Sequence, residues 1–164
     1  MSVAFRRESD EEHLEPRPDL PIPPGPNLVT PRGLAAITAQ AATWETALDA
    51  GLANQADEAA IKEIRRNLRY WQARRATAQL APAADGETVA FGTRVRFARE
   101  DGSEQTVDLV GDDEADPAGG RIAFGSPLAR ALMGLAEGDL APFRAGGKVQ
   151  DLEILSIAPL SADD

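Results

Sequence analysis

Carboxylates are the only side chains here numerous enough to carry chemistry, and they form two groups. Asp112, Asp113, Glu114 and Asp116 fall within five positions, and Asp49, Asp57 and Glu58 flank a short stretch rich in alanine and amides. Oxygen ligands suit hard cations such as calcium and magnesium. The first group lacks EF-hand spacing, with no acid at a twelfth position after a central glycine, and reads better as a solvated turn that docks to a basic partner. The second group could carry a carboxylate on a long probe into a metal site of another protein. Acids at helix ends also complement the helix dipole, and that ordinary role is the stronger reading. The single histidine, His13, lies in an acidic N-terminal stretch, and there is no cysteine. Neither a Ser-His-Asp or Cys-His set nor a thiolate metal site can be assembled. No Walker loop or G-x-G-x-x-G run is present. Intrinsic chemistry would rest on carboxylates alone, and no intrinsic cofactor is expected.

The second carboxylate group needs a probe to present it, and the sequence supplies one. Thr30-Pro31 is a helix start, with Thr30 able to cap and Pro31 suited to the first helical position. Leu34, Ile37, Ala41, Trp44 and Leu48 then recur at spacings 3, 4, 3, 4, a heptad seam. Gly51 is expected to end this helix in a left-handed conformation. A second helix is predicted from Asn54, with Ile61, Ile64, Leu68, Trp71, Arg75 and Ala78 along its seam. Two heptad helices joined by a short loop form an antiparallel hairpin over 30–81. At ~1.5 Å per residue, helices of about 19 and 26 residues span about 28 and 39 Å, the second being longer. Lys62, Arg65, Arg66, Arg69 and Arg74 lie outside the seam at helical spacing. Such a stripe meets an acidic partner wall or nucleic-acid phosphates, or is a solvated flank of the coiled coil.

Beyond the linker Ala81 to Gly86 the hydrophobic period falls to two. Thr93 to Phe97 and Gln105 to Val110 read as a hairpin around Asp101-Gly102. A long acidic loop from Gly111 to Gly120 follows, then a short strand, Arg121 to Phe124. Ser126-Pro127 caps a short helix, Leu128 to Met133. Leu140 to Phe143 and Val149 to Ile157 form a last hairpin. The expected class is α+β: a helical hairpin followed, over 87–159, by an antiparallel sheet with one short helix.

Formal net charge is −10 over 164 residues. It is uneven: −3 over residues 1–30, +2 over 31–82 and −9 over 83–164. This argues against duplex binding through a broad basic face and suggests two units that meet different surfaces. Pro16, Pro18, Pro21, Pro23, Pro24 and Pro26 mark residues 1–29 as an extended, mobile, acidic and proline-rich tail. No apolar run is long enough for a membrane helix. The start MSVAFRRESDEE lacks the apolar core of a signal peptide. A cytoplasmic protein is expected, with no membrane partner.

Several segments, spread over residues 28–159, resemble the GreA/GreB transcript-cleavage factors. They are Asn27 to Gly33 (NLVTPRG), Val89 to Thr93 (VAFGT), Val110 to Asp116 (VGDDEAD), Ser126 to Gly134 (SPLARALMG) and Glu137-Gly138-Asp139. The resemblance implies an N-terminal coiled coil and an FKBP-like C-terminal domain. It implies docking on the rim of the secondary channel of bacterial RNA polymerase, through Asp112, Asp113, Glu114, Asp116, Ser126, Pro127 and Arg130. The coiled coil would enter the channel, with Arg65, Arg66 and Arg69 facing its wall and coming near nascent RNA. In the family, tip carboxylates help hold a second magnesium in the polymerase active site, a two-metal hydrolysis with one ligand set supplied from outside. Here Gly51 stands where the family has Asp, and Asn54 where it has Glu. The hairpin is also shorter, by about two turns of ~5.4 Å per helix. The expectation is a monomeric accessory factor that binds polymerase and modulates elongation without efficient cleavage. Polymerase magnesium would be engaged only if Asp49 or Asp57 substitutes for the missing pair.

Two other readings stand beside this one. A peptidyl-prolyl isomerase would need an aromatic cleft, for which Phe91, Phe97, Phe124 and Phe143 are the candidates. A regulator of a different enzyme would be exposed by its partner in a pull-down.

Overall fold

A computed structural model describes residues 17–162. His13 and the start of the expected tail lie outside the described residues. The chain begins with a two-residue strand β1 (Leu28–Val29), then helices α1 (Pro31–Ala53) and α2 (Glu58–Thr77), then β2 (Gln79–Leu80). Strands β1 and β2 pair in parallel, which ties together the two ends of the helical pair. The strand at Leu28–Val29 falls at the end of the stretch expected as a tail. The preceding residues 17–27 lack regular structure, yet Arg66 Nε donates to the Pro18 carbonyl at 2.7 Å.

Helix α1 starts as its residues dictate. The Thr30 hydroxyl accepts from the Gly33 amide at 2.9 Å, and Pro31 occupies the first turn. Its end differs from expectation. The helix runs through Gly51 to Ala53, Asn54 is its C-cap, and Gln55 takes the left-handed backbone (φ 53°). Gly51 serves close approach instead: a Cβ there would lie 2.9 Å from Ile61 Cδ1 of the facing helix. Helix α2 is capped by Asp57, whose carboxylate accepts from the Ala60 amide at 2.7 Å, and not by Asn54.

The helices are 23 and 20 residues long, so the first is the longer. Helix α2 stops at Thr77 because the chain must turn into β2. Pairs such as Gly51 with Ile61 and Glu45 with Arg75 show that the helices run antiparallel. Ile37, Ala41, Ile61 and Leu68 are buried between them, whereas Arg75, expected on the seam, is exposed.

The second unit is a five-stranded sheet: β3 (Thr93–Ala98), β4 (Glu104–Val110), β5 (Arg121–Ala123), β6 (Leu140–Ala145) and β7 (Lys148–Pro159). Its strand order is β5-β4-β3-β7-β6. Val95 and Phe97 point inward while Arg94 and Arg96 point out, so the period of two is kept on β3. Strand β7 slips by one residue against β3 between Arg96 and Phe97. That irregularity lets Ile154 and Ile157 both reach the core despite an odd spacing.

The sheet is mixed and not purely antiparallel, because β5 pairs with β4 in parallel. Parallel neighbours need a crossover connection. Residues 111–120 provide it as two 3-10 turns, Asp112–Glu114 and Pro117–Gly119. Helix α3 (Pro127–Leu132) is capped by the Ser126 hydroxyl and buries Ala129 and Leu132 against the sheet core. The fold is α+β.

Candidate functional site

Three surfaces carry the predicted functional residues: the helical tip, the outer face of α2, and the region from the acidic turn to α3. At the tip the carboxylates do not converge. Asp57 is engaged as the α2 cap, and Glu58 pairs with Lys62 at 2.7 Å. That lysine holds the Glu58 carboxyl below the usual range, by hydrogen bond first and charge second. Asp49 is exposed, with no hydrogen-bond or ion-pair partner among the described residues. Leu52 is the exposed large apolar side chain of the tip, at 52%. Among the described residues no group of three or more acids or histidines is placed to hold a metal ion.

The outer face of α2 divides. Arg65 is exposed and without a partner among the described residues. Arg66 is partly covered: besides Pro18 it meets Glu63 at 3.2 Å. Arg69 pairs with Asp19 at 2.5 Å. Arg74, placed by its spacing on the same solvated stripe, is instead buried at 1% exposure.

Arg74 reaches the acidic turn. Its Nε donates to Asp113 Oδ2 at 2.5 Å, and its Nη2 lies 3.7 Å from Asp112 Oδ2. The Tyr70 hydroxyl donates to the other oxygen of Asp113. Burial, and then the bond to Asp113 and that residue's negative charge, push the Tyr70 phenol well above its ordinary value. Glu114 accepts from the Thr30 hydroxyl at 2.6 Å, so Thr30 caps α1 and binds the turn together. Asn27 donates to the Arg74 carbonyl at 2.8 Å from the other side.

The turn VGDDEAD is thus not the fully solvated loop that its composition suggested. Asp112, Asp113 and Glu114 face inward and clamp the helical pair to the sheet. Only Asp116 faces out, paired with Arg121 at 3.1 Å. The backbone makes room for the clamp at Gly111, where a Cβ would fall 2.5 Å from the Leu28 carbonyl oxygen. A signal was present in the sequence. A tyrosine and an arginine four apart put a neutral donor and a cation on one helical face, which suits a buried carboxylate.

Around α3, Ser126 is spent on capping. Pro127, Arg130 and Met133, at spacings of three, form an exposed stripe, and Arg130 has no partner among the described residues. The Glu-Gly-Asp motif is a structural turn. Asp139 accepts from the Ala136 amide at 2.8 Å, Glu137 accepts from the Ile157 amide at 3.0 Å, and Gly138 takes φ 87°. The four phenylalanines do not gather in one cleft. Phe97 is wholly buried, and Phe91 stacks edge-on against Phe124 at 5.3 Å. Of the four, only Phe91 lines the cleft of about 320 Å³ beside Pro31, Leu80 and Leu160.

Residues 84–159 match the family described as "Transcription elongation factor, GreA/GreB, C-term". The sheet unit is thus similar to the C-terminal domain of the GreA/GreB transcription elongation factors. It is 38% identical over 108 residues to the transcription elongation factor GreB of Neisseria meningitidis serogroup B, covering 63% of this chain and 65% of that protein. It is 45% identical over 73 residues to GreA of Thioalkalivibrio sulfidiphilus, covering 44% of this chain and 46% of that one. The chain thus spans about half the length of the GreA relatives it matches. Among solved structures, GreA factor homolog 1 of Thermus thermophilus aligns with TM-score 0.40 at 16% identity, over 82% of this chain and 99% of that one. The GreA/GreB factor of Nitrosomonas europaea gives 0.41 at 23%, over 80% and 98%. The family match covers the sheet, α3 and the inward acidic turn. No helix among the described residues is long and apolar enough to cross a membrane.

Proposed function

We propose that this chain is an accessory factor of bacterial RNA polymerase. It docks by its sheet unit at the rim of the secondary channel and directs the helical pair into the channel. There it modulates elongation without efficient stimulation of transcript cleavage. The reading rests on the GreA/GreB likeness of residues 84–159 together with one observation: the tip offers no paired carboxylates. Its acids are spent on the α2 cap and on Lys62, leaving Asp49 single. Magnesium is usually held by one or two carboxylates, and a single one on a probe supplies a weaker ligand set than a pair. Docking falls to the exposed α3 stripe of Pro127, Arg130 and Met133, since Asp112, Asp113 and Glu114 are engaged within the molecule. The chain acts as a monomer, its helical pair closing within one molecule.

Backtracked elongation complexes test this directly. The protein is expected to bind core polymerase and to leave the rate of dinucleotide release near that of polymerase alone. Release at the rate of a true cleavage factor, abolished by Asp49→Ala, would show that one carboxylate suffices and would overturn the proposal. Failure to bind core polymerase would overturn it at an earlier step.

A further inference from the structure

We propose that residues 17–26 form an intramolecular strap that masks the cationic face of α2 and competes there with a single-stranded phosphodiester chain. Three consecutive residues meet the helix at three-residue intervals: Arg17 with Glu63 at 3.7 Å, Pro18 with Arg66, and Asp19 with Arg69. The strap is therefore in register along α2 and does not merely touch it. Its far end is held by Asn27, which donates to the Arg74 carbonyl at 2.8 Å and the Thr77 hydroxyl at 3.1 Å. Proline at 18, 21, 23, 24 and 26 keeps the intervening chain extended, so little entropy is lost on laying it down.

The strap presents oxygens to forked arginine donors, the acceptor chemistry a phosphate would also offer. Asp19 Oδ1 accepts from both Nε and Nη2 of Arg69, and the Pro18 carbonyl accepts from Arg66. These contacts are easily displaced, because Arg69 and Asp19 are 57% and 69% exposed, and exposed pairs hold weakly. A narrow line of cations on a chain of net charge −10 suits one strand, not the broad face of a duplex. Masking the line would keep free protein off nucleic acid until a stronger site brings the two together. This rests on the reading of the α2 stripe as a contact surface, but RNA binding is measured without polymerase, so the two can fail separately.

The test is fluorescence anisotropy of a labelled single-stranded RNA with the full chain at low salt, where exposed pairs are least screened. Asp19→Asn is expected to tighten binding about three-fold, the scale set by one exposed ion pair. Glu153→Gln, the same charge change on the exposed side of β7, is expected to do much less. The Asp19→Asn gain should vanish in an Arg69→Gln background, since the cycle isolates that one pair. The proposal is overturned if Asp19→Asn behaves like Glu153→Gln, if its gain survives undiminished with Arg69→Gln, or if the RNA binds neither protein. Tighter polymerase binding by Asp19→Asn without tighter RNA binding would also overturn it, in favour of an acidic protein wall.

Discussion

Arg74 joins the helical pair to the acidic turn of the sheet unit. It is 1% exposed, faces Asp113 and Asp112, and lends its carbonyl to Asn27. Removing one partner of a buried pair strands the other charge away from water, which costs far more than the intact pair contributes. Arg74→Met should therefore cost about 3–5 kcal/mol in urea unfolding. The double change Arg74→Met with Asp113→Leu should recover part of that loss, because no lone charge then remains. The neighbouring tyrosine gives the clamp a pH signature. Tyr70 has a raised phenol pKa in the fold, so the native state holds its proton more tightly than the unfolded chain does. The sign follows from linkage: the contribution is whole below the unfolded value near 10 and is lost as pH climbs above it toward the folded value. Stability should fall above about pH 10, and Tyr70→Phe should remove that part of the fall. Thermal midpoints of both proteins between pH 8 and 11 would show it. The sequence disclosed Arg74 only as one cation in a row. Helical spacing gives the face of a residue but not what packs against it, and Arg74 and Asp113 lie 39 positions apart.

Two glycines separate what an element tolerates from what it does not. At Gly51 in α1, a Cβ would meet the far end of the Ile61 side chain at 2.9 Å. That rotamer can give way, and alanine gains up to about 1 kcal/mol of helix propensity. Gly51→Ala should stay within about 1 kcal/mol of the wild type. At Gly111 the obstacle is the Leu28 backbone oxygen at 2.5 Å, which cannot move without opening the β1–β2 junction. Gly111→Ala should cost about 1–3 kcal/mol, as overpacking usually does. Chemical denaturation of the pair would separate them. The same elements show how far pattern reaches. The Thr30 cap, the Asp101-Gly102 turn and the Ser126-Pro127 start were legible because each is set by residues within a few positions. The end of α1 was misplaced because Gly51 answers to Ile61 on another helix. The parallel pairing of β5 was hidden for a like reason. Two short 3-10 turns redirect the chain, and nothing in their composition states a direction.

As a whole molecule, the chain sets a short helical probe on a base by a buried clamp, and so presents two surfaces in fixed relation. The GreA/GreB likeness could be read from motifs, but the motifs did not show which acids are engaged within the fold. VGDDEAD looks like a docking turn because it is acidic, yet its first three acids are used to fix the probe. The α3 stripe is exposed on the base, with Arg130 unpaired among the described residues. If that stripe docks to polymerase, the chain should compete with true cleavage factors for the same rim while cleaving little itself. Added to backtracked complexes containing a GreA factor, it should slow dinucleotide release, and excess GreA should restore the rate. Arg130→Glu should raise the half-inhibitory concentration about ten-fold or more if the residue is a central contact, since such contacts carry 2 kcal/mol or above. The same change should leave unfolding within about 0.5 kcal/mol, because an exposed, unpaired residue supports nothing in the fold. Unchanged competition by a normally folded Arg130→Glu protein would move the docking surface elsewhere, most directly to the exposed Leu140 and Val149 at the β6–β7 end of the sheet.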